Sequence, residues 1–288
     1  DFPLHSMGME VVAMKQPLFT GACTALITPF LGDKINFPLL ERLIRRQCEA
    51  GILAIVICGT TGESPTLSDA EKLELFRSAK KYARDSCLII AGTGSNNTEH
   101  TIALSKAAED AGADALLVVS PYYNKATPEG LVTHYSAVAA SVHIPVILYN
   151  VPSRTGVDTP VAVYQCLSQI PNIAGVKEAS TDISKIARIR AACPDHFAVW
   201  SGNDDQAAAV MSLGGAGVIS VLSNVAPKQT HDICEKFFNG DVEGSRKLQL
   251  ALLSLINLLF IEVNPIPVKK ALQLMGMMGG TLRRPLTE

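Results

Sequence analysis

A short apolar run followed by an amphipathic segment recurs eight times along this 288-residue chain. Each run ends in small or polar residues before the helical pattern begins. Eight strand–helix units in succession predict one parallel (β/α)8 barrel, a TIM barrel, in the α/β class. An open doubly wound sheet is the alternative, but the turn at 28–32 lacks the glycine-rich pattern that such sheets commonly carry there. The runs lie at 22–28, 54–58, 88–91, 115–119, 145–149, 173–176, 197–200 and 217–221.

The composition agrees with a sheet that is buried on both faces. Hydrophobic residues make up 48% of the chain and charged residues 18%, and strands covered on both sides read as continuous apolar runs. We expect the barrel domain to span 18–225 and a C-terminal helical extension to span 226–288. The apolar run at 248–263 contains polar residues and is short for a membrane span, so it predicts a buried helix.

Charge and residue spacing exclude several classes of function. The net charge of −2 gives no basic field that would attract nucleic acid or an anionic membrane surface. The seven cysteines show no CxxC spacing, which favours free thiols in a reducing cytoplasm. The six histidines form no HxH or HExxH pair, so we expect no metal site. Residues 1–15 lack the pattern of a signal peptide, and we predict a cytoplasmic protein.

The sixth apolar run ends on a lysine, Lys177. An ammonium at the end of a buried strand is costly unless it is paired or has lost its proton. One interpretation is structural: Lys177 pairs with a carboxylate at a strand end. The other is chemical, because a neutral amine is a nucleophile that forms an imine with a ketone.

Hydroxyl, amine and guanidinium side chains follow the predicted strands at the ends where a barrel carries its active site. Each has an ordinary structural alternative: threonines cap helices, tyrosines pack, an arginine lies on the surface and a glycine makes a turn. Together they suit the condensation or cleavage of a 2-oxo acid, because they supply a nucleophile, a proton relay and a carboxylate partner. Backbone N–H groups of the turn at 59–62 would bind the carboxylate. The residues are Thr60, Thr61, Tyr122, Tyr123, Tyr149, Arg154, Lys177 and Gly202.

Three motifs carry a resemblance to a known family. They are GTTGE at 59–63, YNVPSRTG at 149–156 and GVKEA at 175–179. In combination they resemble the dihydrodipicolinate synthase family of lysine-dependent pyruvate aldolases, which also contains N-acetylneuraminate lyase. The resemblance extends from about residue 18 to about residue 286. It implies a (β/α)8 barrel with a C-terminal helical extension and a homotetramer.

The resemblance also implies residue roles. Lys177 would form a Schiff base with pyruvate, so that no separate cofactor is needed. Thr60, Tyr149 and Tyr123 would relay protons, with Tyr123 reaching into the site of a neighbouring subunit. The remaining implied contacts are Thr61 with the pyruvate carboxylate, Arg154 with the carboxylate of L-aspartate 4-semialdehyde, and Gly202 and Ile219 with the substrate through their carbonyls.

Arg154 distinguishes activities within the family. Members that act on sialic acid or sugar acids generally lack the arginine in this motif, and a guanidinium fits a carboxylate better than a polyol. The resemblance therefore implies condensation of pyruvate with L-aspartate 4-semialdehyde, on the way to diaminopimelate and lysine. The alternatives are a 2-keto-3-deoxy sugar-acid aldolase or N-acetylneuraminate lyase, or a barrel that has lost catalysis and serves as a binding protein.

Regulated members of the family bind L-lysine between subunits, and the matching positions here are only partly retained. Ser64, Asn96 and Tyr122 are the expected residues, but His100 stands where sensitive members usually carry a glutamate. Imidazole cannot replace a carboxylate as the partner of an ammonium, and Lys72 adds a like charge nearby, although Asp69 offers a carboxylate. We therefore predict weak or absent inhibition by lysine.

Overall fold

The computed structural model describes residues 16–277 and 280–288. The prediction about a signal peptide at 1–15 lies outside these residues. Ten strands are present in the described part of the chain, eight of them in one closed parallel barrel and two in a small antiparallel hairpin, β2–β3. The strands are β1 (Gly21–Ala25), β2 (Phe30–Leu31), β3 (Lys34–Ile35), β4 (Ala54–Ile57), β5 (Leu88–Gly92), β6 (Ala115–Val119), β7 (Val146–Asn150), β8 (Ile173–Glu178), β9 (Ala198–Ser201) and β10 (Gly217–Ser220).

The helices cover the outside of the barrel and form the C-terminal part of the chain. Two helix starts carry N-caps of the kind that their residue types favour: Asn36 accepts from the Leu39 N–H at 3.1 Å, and Ser68 forms a capping box with Glu71. The helices are α1 (Phe37–Glu49), α2 (Asp69–Ala83), α3 (Thr98–Asp110), α4 (Pro128–Ala140), α5 (Pro152–Thr155), α6 (Val161–Leu167), α7 (Ile183–Ala192), α8 (Ala207–Ser212), α9 (Pro227–Phe238), α10 (Val242–Leu258) and α11 (Ile266–Leu274).

The barrel closes between its first and last strands, β1 and β10, where Gly21 pairs with Gly217. A Cβ on Gly217 would lie 1.9 Å from the carbonyl oxygen of Gly21, so this approach requires glycine. Beyond the strands, Asn224 donates to the Ala25 carbonyl at 2.8 Å and accepts from the Ile27 N–H at 3.1 Å. After Ala25 this side chain bonds the backbone in place of β10, while the Leu26 N–H still donates to the Val56 carbonyl of β4 at 3.1 Å. Strand β1 therefore ends before residue 28, where the sequence predicted its end.

The C-terminal helices differ from the prediction. The apolar run at 248–263 was expected to be a buried helix, but α10 ends at Leu258 and its outer face is uncovered. Leu250 is 58% exposed and Ile261 72% exposed. One face of α10 packs on the outer helices α8 and α9, and its Gln249 accepts from the Ala208 N–H of α8 at 2.8 Å. The prediction was wrong because an apolar composition does not reveal what covers it within one chain.

In the described part of the chain, none of the helices is long and apolar enough to span a membrane. The division of the chain at residue 225 stays a prediction.

Candidate active site

A cavity of about 690 Å³ lies at the carboxyl ends of the strands. Several sequence-predicted residues are on its wall, while others are not part of that wall in the described chain. On the wall are Thr60, Ser64, Asn96, His100, Tyr122, Tyr149 and Arg154. Off the wall are Thr61, Tyr123, Lys177, Gly202 and Ile219.

Lys177 lies on β8 directly beside Tyr149 of β7, its partner in the strand register. Its side chain is in the interior, 5% exposed, with Nζ 4.5 Å from the centre of the Tyr149 ring. No carboxylate of the described residues lies within ion-pair distance of this nitrogen. The structural interpretation of Lys177 as a lysine paired with a strand-end carboxylate is therefore wrong. The amine instead faces an aromatic ring that forms part of the cavity wall.

The next residue, Glu178, faces the opposite side of the strand, because side chains alternate along β8. Its carboxylate is buried and fully partnered there. Asn150 donates to it at 2.7 Å, Tyr164 donates at 3.1 Å, and the Lys185 ammonium lies 3.5 Å away. The burial and the adjacent carboxylate raise the pKa of Tyr164 well above its usual value, so it stays a donor.

This cluster fixes the ends of two strands at the residues that follow Tyr149 and Lys177. Sequence reasoning quoted Glu178 within a motif but assigned it no role. The partners Tyr164 and Lys185 come from α6 and α7, and no local pattern pointed to them.

The turn at Gly59–Glu63 brings two threonines to the site. Thr61 is buried and its hydroxyl accepts from the Asn264 side chain at 3.0 Å. Within the turn, the Gly62 N–H donates to the Gly59 carbonyl, while neither Thr60 nor Thr61 N–H donates to a described group. The N–H groups that remain for an anion are therefore those of the two threonines. Sequence reasoning missed Asn264, which lies about 200 residues away in the chain.

Arg154 lies on the short helix α5 at the cavity mouth and is exposed. Its guanidinium donates to the backbone carbonyl of Asn264 at 3.4 Å. Asn264 therefore contacts both Thr61 and Arg154, one through its side chain and one through its backbone. The remaining donor groups of Arg154 point to no acceptor among the described residues and are available to a ligand.

Gly202 and Ile219 belong to neighbouring parts of the strand ends. The Gly202 N–H donates to the Glu178 carbonyl at 2.7 Å, and Ile219 is buried on β10 opposite Cys23. A Cβ on Gly202 would lie 2.5 Å from the Ala179 side chain, so a glycine is needed there.

Tyr122 and Tyr123 follow β6 and lie at the surface of the single chain. Tyr122 is partly exposed and on the cavity wall, whereas Tyr123 is 90% exposed. Tyr123 also has a backbone φ of 72°, a left-handed conformation that is rare for an aromatic residue.

The far part of the cavity carries the residues that resemble a lysine site. His100 Nε2 lies 2.8 Å from Asp69 Oδ2, and Lys72 Nζ lies 3.5 Å from Asp69 Oδ1. The hydrogen bond from His100 lowers the pKa of Asp69. Its carboxylate is therefore already paired with two basic side chains of the same chain.

Within residues 16–277 and 280–288, one group of three side chains comes close enough for a metal: His231, Asp232 and Glu235 on the outer helix α9. Asp232 already pairs with Lys228, and His231 lies 3.4 Å from Glu235. None of the three is on the cavity wall.

Comparison with known proteins agrees with this geometry. The sequence profile of the dihydrodipicolinate synthetase family matches residues 18–288. The chain belongs to this family. A relative from Lachnoclostridium phytofermentans named 4-hydroxy-tetrahydrodipicolinate synthase is 53% identical over 273 residues, which cover 94% of this chain and 93% of the relative.

Solved structures of the family share the fold. Dihydrodipicolinate synthase from Thermotoga maritima is 43% identical, with a TM-score of 0.92 over 94% of this chain and 93% of that one. The chloride-inhibited enzyme from Acinetobacter baumannii, solved with pyruvate, is 43% identical, with a TM-score of 0.91 over 93% of each chain. The predicted TIM barrel and the predicted family are thus confirmed.

Proposed function

We propose that this protein is a 4-hydroxy-tetrahydrodipicolinate synthase, a lyase that condenses pyruvate with L-aspartate 4-semialdehyde in lysine and diaminopimelate biosynthesis. The observation that carries the proposal is the buried amine of Lys177, which lacks a carboxylate partner among the described residues and faces Tyr149 at the cavity. Relatives that carry this name, at about half identity over nearly the whole chain, support it over sugar-acid aldolase or N-acetylneuraminate lyase activity.

The reaction begins with pyruvate. Its carboxylate binds the free N–H groups of Thr60 and Thr61 and the Thr61 hydroxyl, which places the ketone carbon near Lys177. The amine attacks that carbon and water leaves, forming a protonated imine. The imine accepts the electron pair released when a methyl proton is removed, and an enamine results. No separate cofactor enters this scheme.

The enamine then attacks the aldehyde carbon of L-aspartate 4-semialdehyde, and the aldehyde oxygen takes up a proton. The amino group of the second substrate displaces Lys177 from the imine carbon, which closes the ring and frees the enzyme. Thr60, Tyr149 and Tyr123 relay the protons in these steps. Tyr149 is suited to this role because its ring lies against the reacting nitrogen.

Arg154 binds the carboxylate of the semialdehyde. Its exposed guanidinium at the cavity mouth supports this assignment, because an arginine can hold a carboxylate through two parallel hydrogen bonds. The same feature argues against a polyol substrate.

The active form is a cytoplasmic homotetramer in this proposal. Two features support assembly: Tyr123 is almost fully exposed, and apolar side chains of the C-terminal helices are uncovered in the single chain. Across an interface, Tyr123 would supply its hydroxyl to the neighbouring site. A monomeric variant should then keep its fold and lose turnover, and a fully active monomer would contradict this part of the proposal.

Two measurements test the function. A coupled assay with pyruvate and L-aspartate 4-semialdehyde should show turnover, with no cleavage of N-acetylneuraminate or of 2-keto-3-deoxy sugar acids. Borohydride added with pyruvate should attach a reduced pyruvyl group to the peptide that contains Lys177. An adduct on a different lysine, or none, would overturn the mechanism.

A further inference from the structure

The turn at Gly59–Glu63 is held from outside the barrel by the C-terminal part of the chain. We call the holding residues, Lys269, Thr281 and Arg283, the C-terminal clasp. Glu63 Oε1 lies 2.5 Å from Lys269 Nζ, and Glu63 Oε2 accepts from the Arg283 N–H at 2.9 Å. Lys269 also donates to the Thr281 carbonyl at 2.8 Å.

The pair at the centre of this clasp is fully buried. The side chains of Glu63 and Lys269 are both 0% exposed. Among the described residues, the Lys269 ammonium is the one group that neutralises Glu63 Oε1, which has no other donor. A buried carboxylate without its cation carries a large desolvation penalty, so neither side chain can leave without disturbing the other.

A single aromatic ring connects the two cations of the clasp. Lys269 Nζ lies 4.3 Å from the centre of the Phe30 ring, and the Arg283 guanidinium lies 4.5 Å from it. Arg283 also holds both carboxylate oxygens of Glu71, at 2.9 and 2.5 Å. The clasp is therefore tied to the first residues of α2 as well as to the turn.

The backbone of the turn needs this support. Glu63 has a φ of 56°, a left-handed conformation that a residue with a Cβ adopts at a cost unless its surroundings enforce it. The Glu63 N–H donates to the Thr60 carbonyl at 3.1 Å, so the conformation of Glu63 acts directly on the peptide group between Thr60 and Thr61. That peptide group contains the Thr61 N–H, one of the two that remain free for an anion.

We propose that Glu63 and Lys269 are positioning residues for the carboxylate of the 2-oxo acid substrate. The buried pair sets the orientation of the peptide group between Thr60 and Thr61, and so of the Thr61 N–H, and it touches no substrate itself. This inference rests on the proposed function, because it concerns the affinity of the site that forms the pyruvyl imine.

The test compares charge-removing variants of the pair by borohydride trapping at increasing pyruvate concentration. Glu63→Gln, Lys269→Met and the double variant E63Q/K269M are measured as full-length chains. Lys247→Met is the matched control, since Lys247 forms an exposed ion pair with Glu243 on α10. Thermal unfolding reports separately on the fold, and mass spectrometry counts adducts on Lys177.

Glu63→Gln and Lys269→Met should each raise the half-maximal pyruvate concentration about tenfold or more, because small misplacements of binding groups are costly. The amount of adduct trapped at saturating pyruvate should change by a smaller factor than the half-maximal concentration does. The double variant leaves no buried charge unpaired. Its half-maximal pyruvate concentration should therefore lie closer to that of the unmodified protein than the value for Lys269→Met does. Lys247→Met should have the same half-maximal concentration as the unmodified protein.

An unchanged half-maximal concentration in the folded Glu63→Gln protein would overturn the inference, even if its melting temperature falls. If Lys269→Met does not fold, Glu63→Gln and the double variant decide the outcome by the same criterion. Failure of the proposed function looks different: the unmodified protein would then form no adduct on Lys177 at any pyruvate concentration.

Discussion

The charged side chains on the two faces of strand β8 have opposite surroundings. On the inner side, Lys177 is buried against the Tyr149 ring without a carboxylate partner among the described residues. On the outer side, the neighbouring Glu178 is buried among four donors, including the Lys185 ammonium and the Ser180 N–H. Adjacent residues of one strand thus serve different purposes: the outer charges hold the strand in place, and the inner amine is left free to react.

Other buried lysines of the chain support this distinction. Lys72, Lys185 and Lys269 are buried like Lys177, but each lies beside a carboxylate: Asp69, Glu178 and Glu63 respectively. Burial alone therefore does not mark a reactive lysine. The absence of a carboxylate partner does, because an amine that is held in an ion pair is not free to attack a ketone.

The largest expected effect comes from removing the two lysines one at a time. Lys177→Met should abolish the pyruvyl adduct and lower turnover by roughly a thousandfold or more, because the nucleophile is gone. Its free energy of unfolding should hold or rise, since no carboxylate loses a partner. Lys185→Met should instead lower the free energy of unfolding by about 3–5 kcal/mol, because Glu178 is left buried and unpaired.

Urea titration and borohydride trapping of both variants measure these effects. The comparison fails if Lys177→Met is as destabilised as Lys185→Met, or if Lys177→Met still forms an adduct.

Arg154→Ala extends the comparison between structural and substrate-directed charges to the cavity mouth. Losing a charge-assisted carboxylate contact should cost about 2–3 kcal/mol of transition-state stabilisation, so kcat/KM for the semialdehyde should fall roughly 30- to 150-fold. Trapping with pyruvate alone should change little. Steady-state kinetics measures kcat/KM for the semialdehyde, and borohydride trapping measures adduct formation with pyruvate. Equal losses in these two quantities would mean that Arg154 is structural.

Inhibition by L-lysine should be weak, because the carboxylate of Asp69 is already held by His100 and Lys72. A missing charge partner in a partly buried site is worth roughly 2–5 kcal/mol, a factor of thirty or more in affinity. Half-inhibition should therefore need more than about a millimolar of lysine. His100→Glu should lower that concentration, and strong inhibition of the unmodified enzyme would refute the interpretation of His100.

The smallest expected effect concerns His134, a buried histidine of helix α4 on the outside of the barrel. Burial lowers its pKa to about 4, and Thr98 hydrogen-bonds its Nδ1 at 2.9 Å. An unfolded chain binds this proton near pH 6.5, so stability should fall as the pH drops from about 6.5 towards 4. His134→Gln should flatten this dependence by on the order of 1–2 kcal/mol between pH 7 and pH 5. Urea unfolding at both pH values tests it, and parallel curves would contradict it.

The sequence predicted the barrel well because strand periodicity is local. Seven of the eight predicted strands agree with the structure to within one or two residues, and the motif residues lie at the carboxyl ends of those strands. The first strand is the exception: it ends three residues early, since the Asn224 side chain bonds its backbone there in place of β10. That contact joins residues almost 200 positions apart, and a local pattern does not contain it.

The same limit explains what was missed around the site. The pairs Glu178–Lys185 and Glu63–Lys269 each connect an inner motif with a helix outside it, and composition does not say which charges meet. The exposure of α10 was missed for a related reason. An apolar helix face looks the same in a sequence whether its own chain or another chain covers it.

The closure of the barrel has a consequence for synthesis of the protein on the ribosome. Strand β1 emerges first, but one of its two hydrogen-bonding edges waits for β10, which begins 196 residues later, from Gly21 to Gly217. At about 5–20 residues per second, this wait lasts roughly 10–40 s. During that interval a buried, apolar strand has an open edge, the state in which nascent chains aggregate. Chaperone protection of the first strand would therefore matter most before the last strand is made.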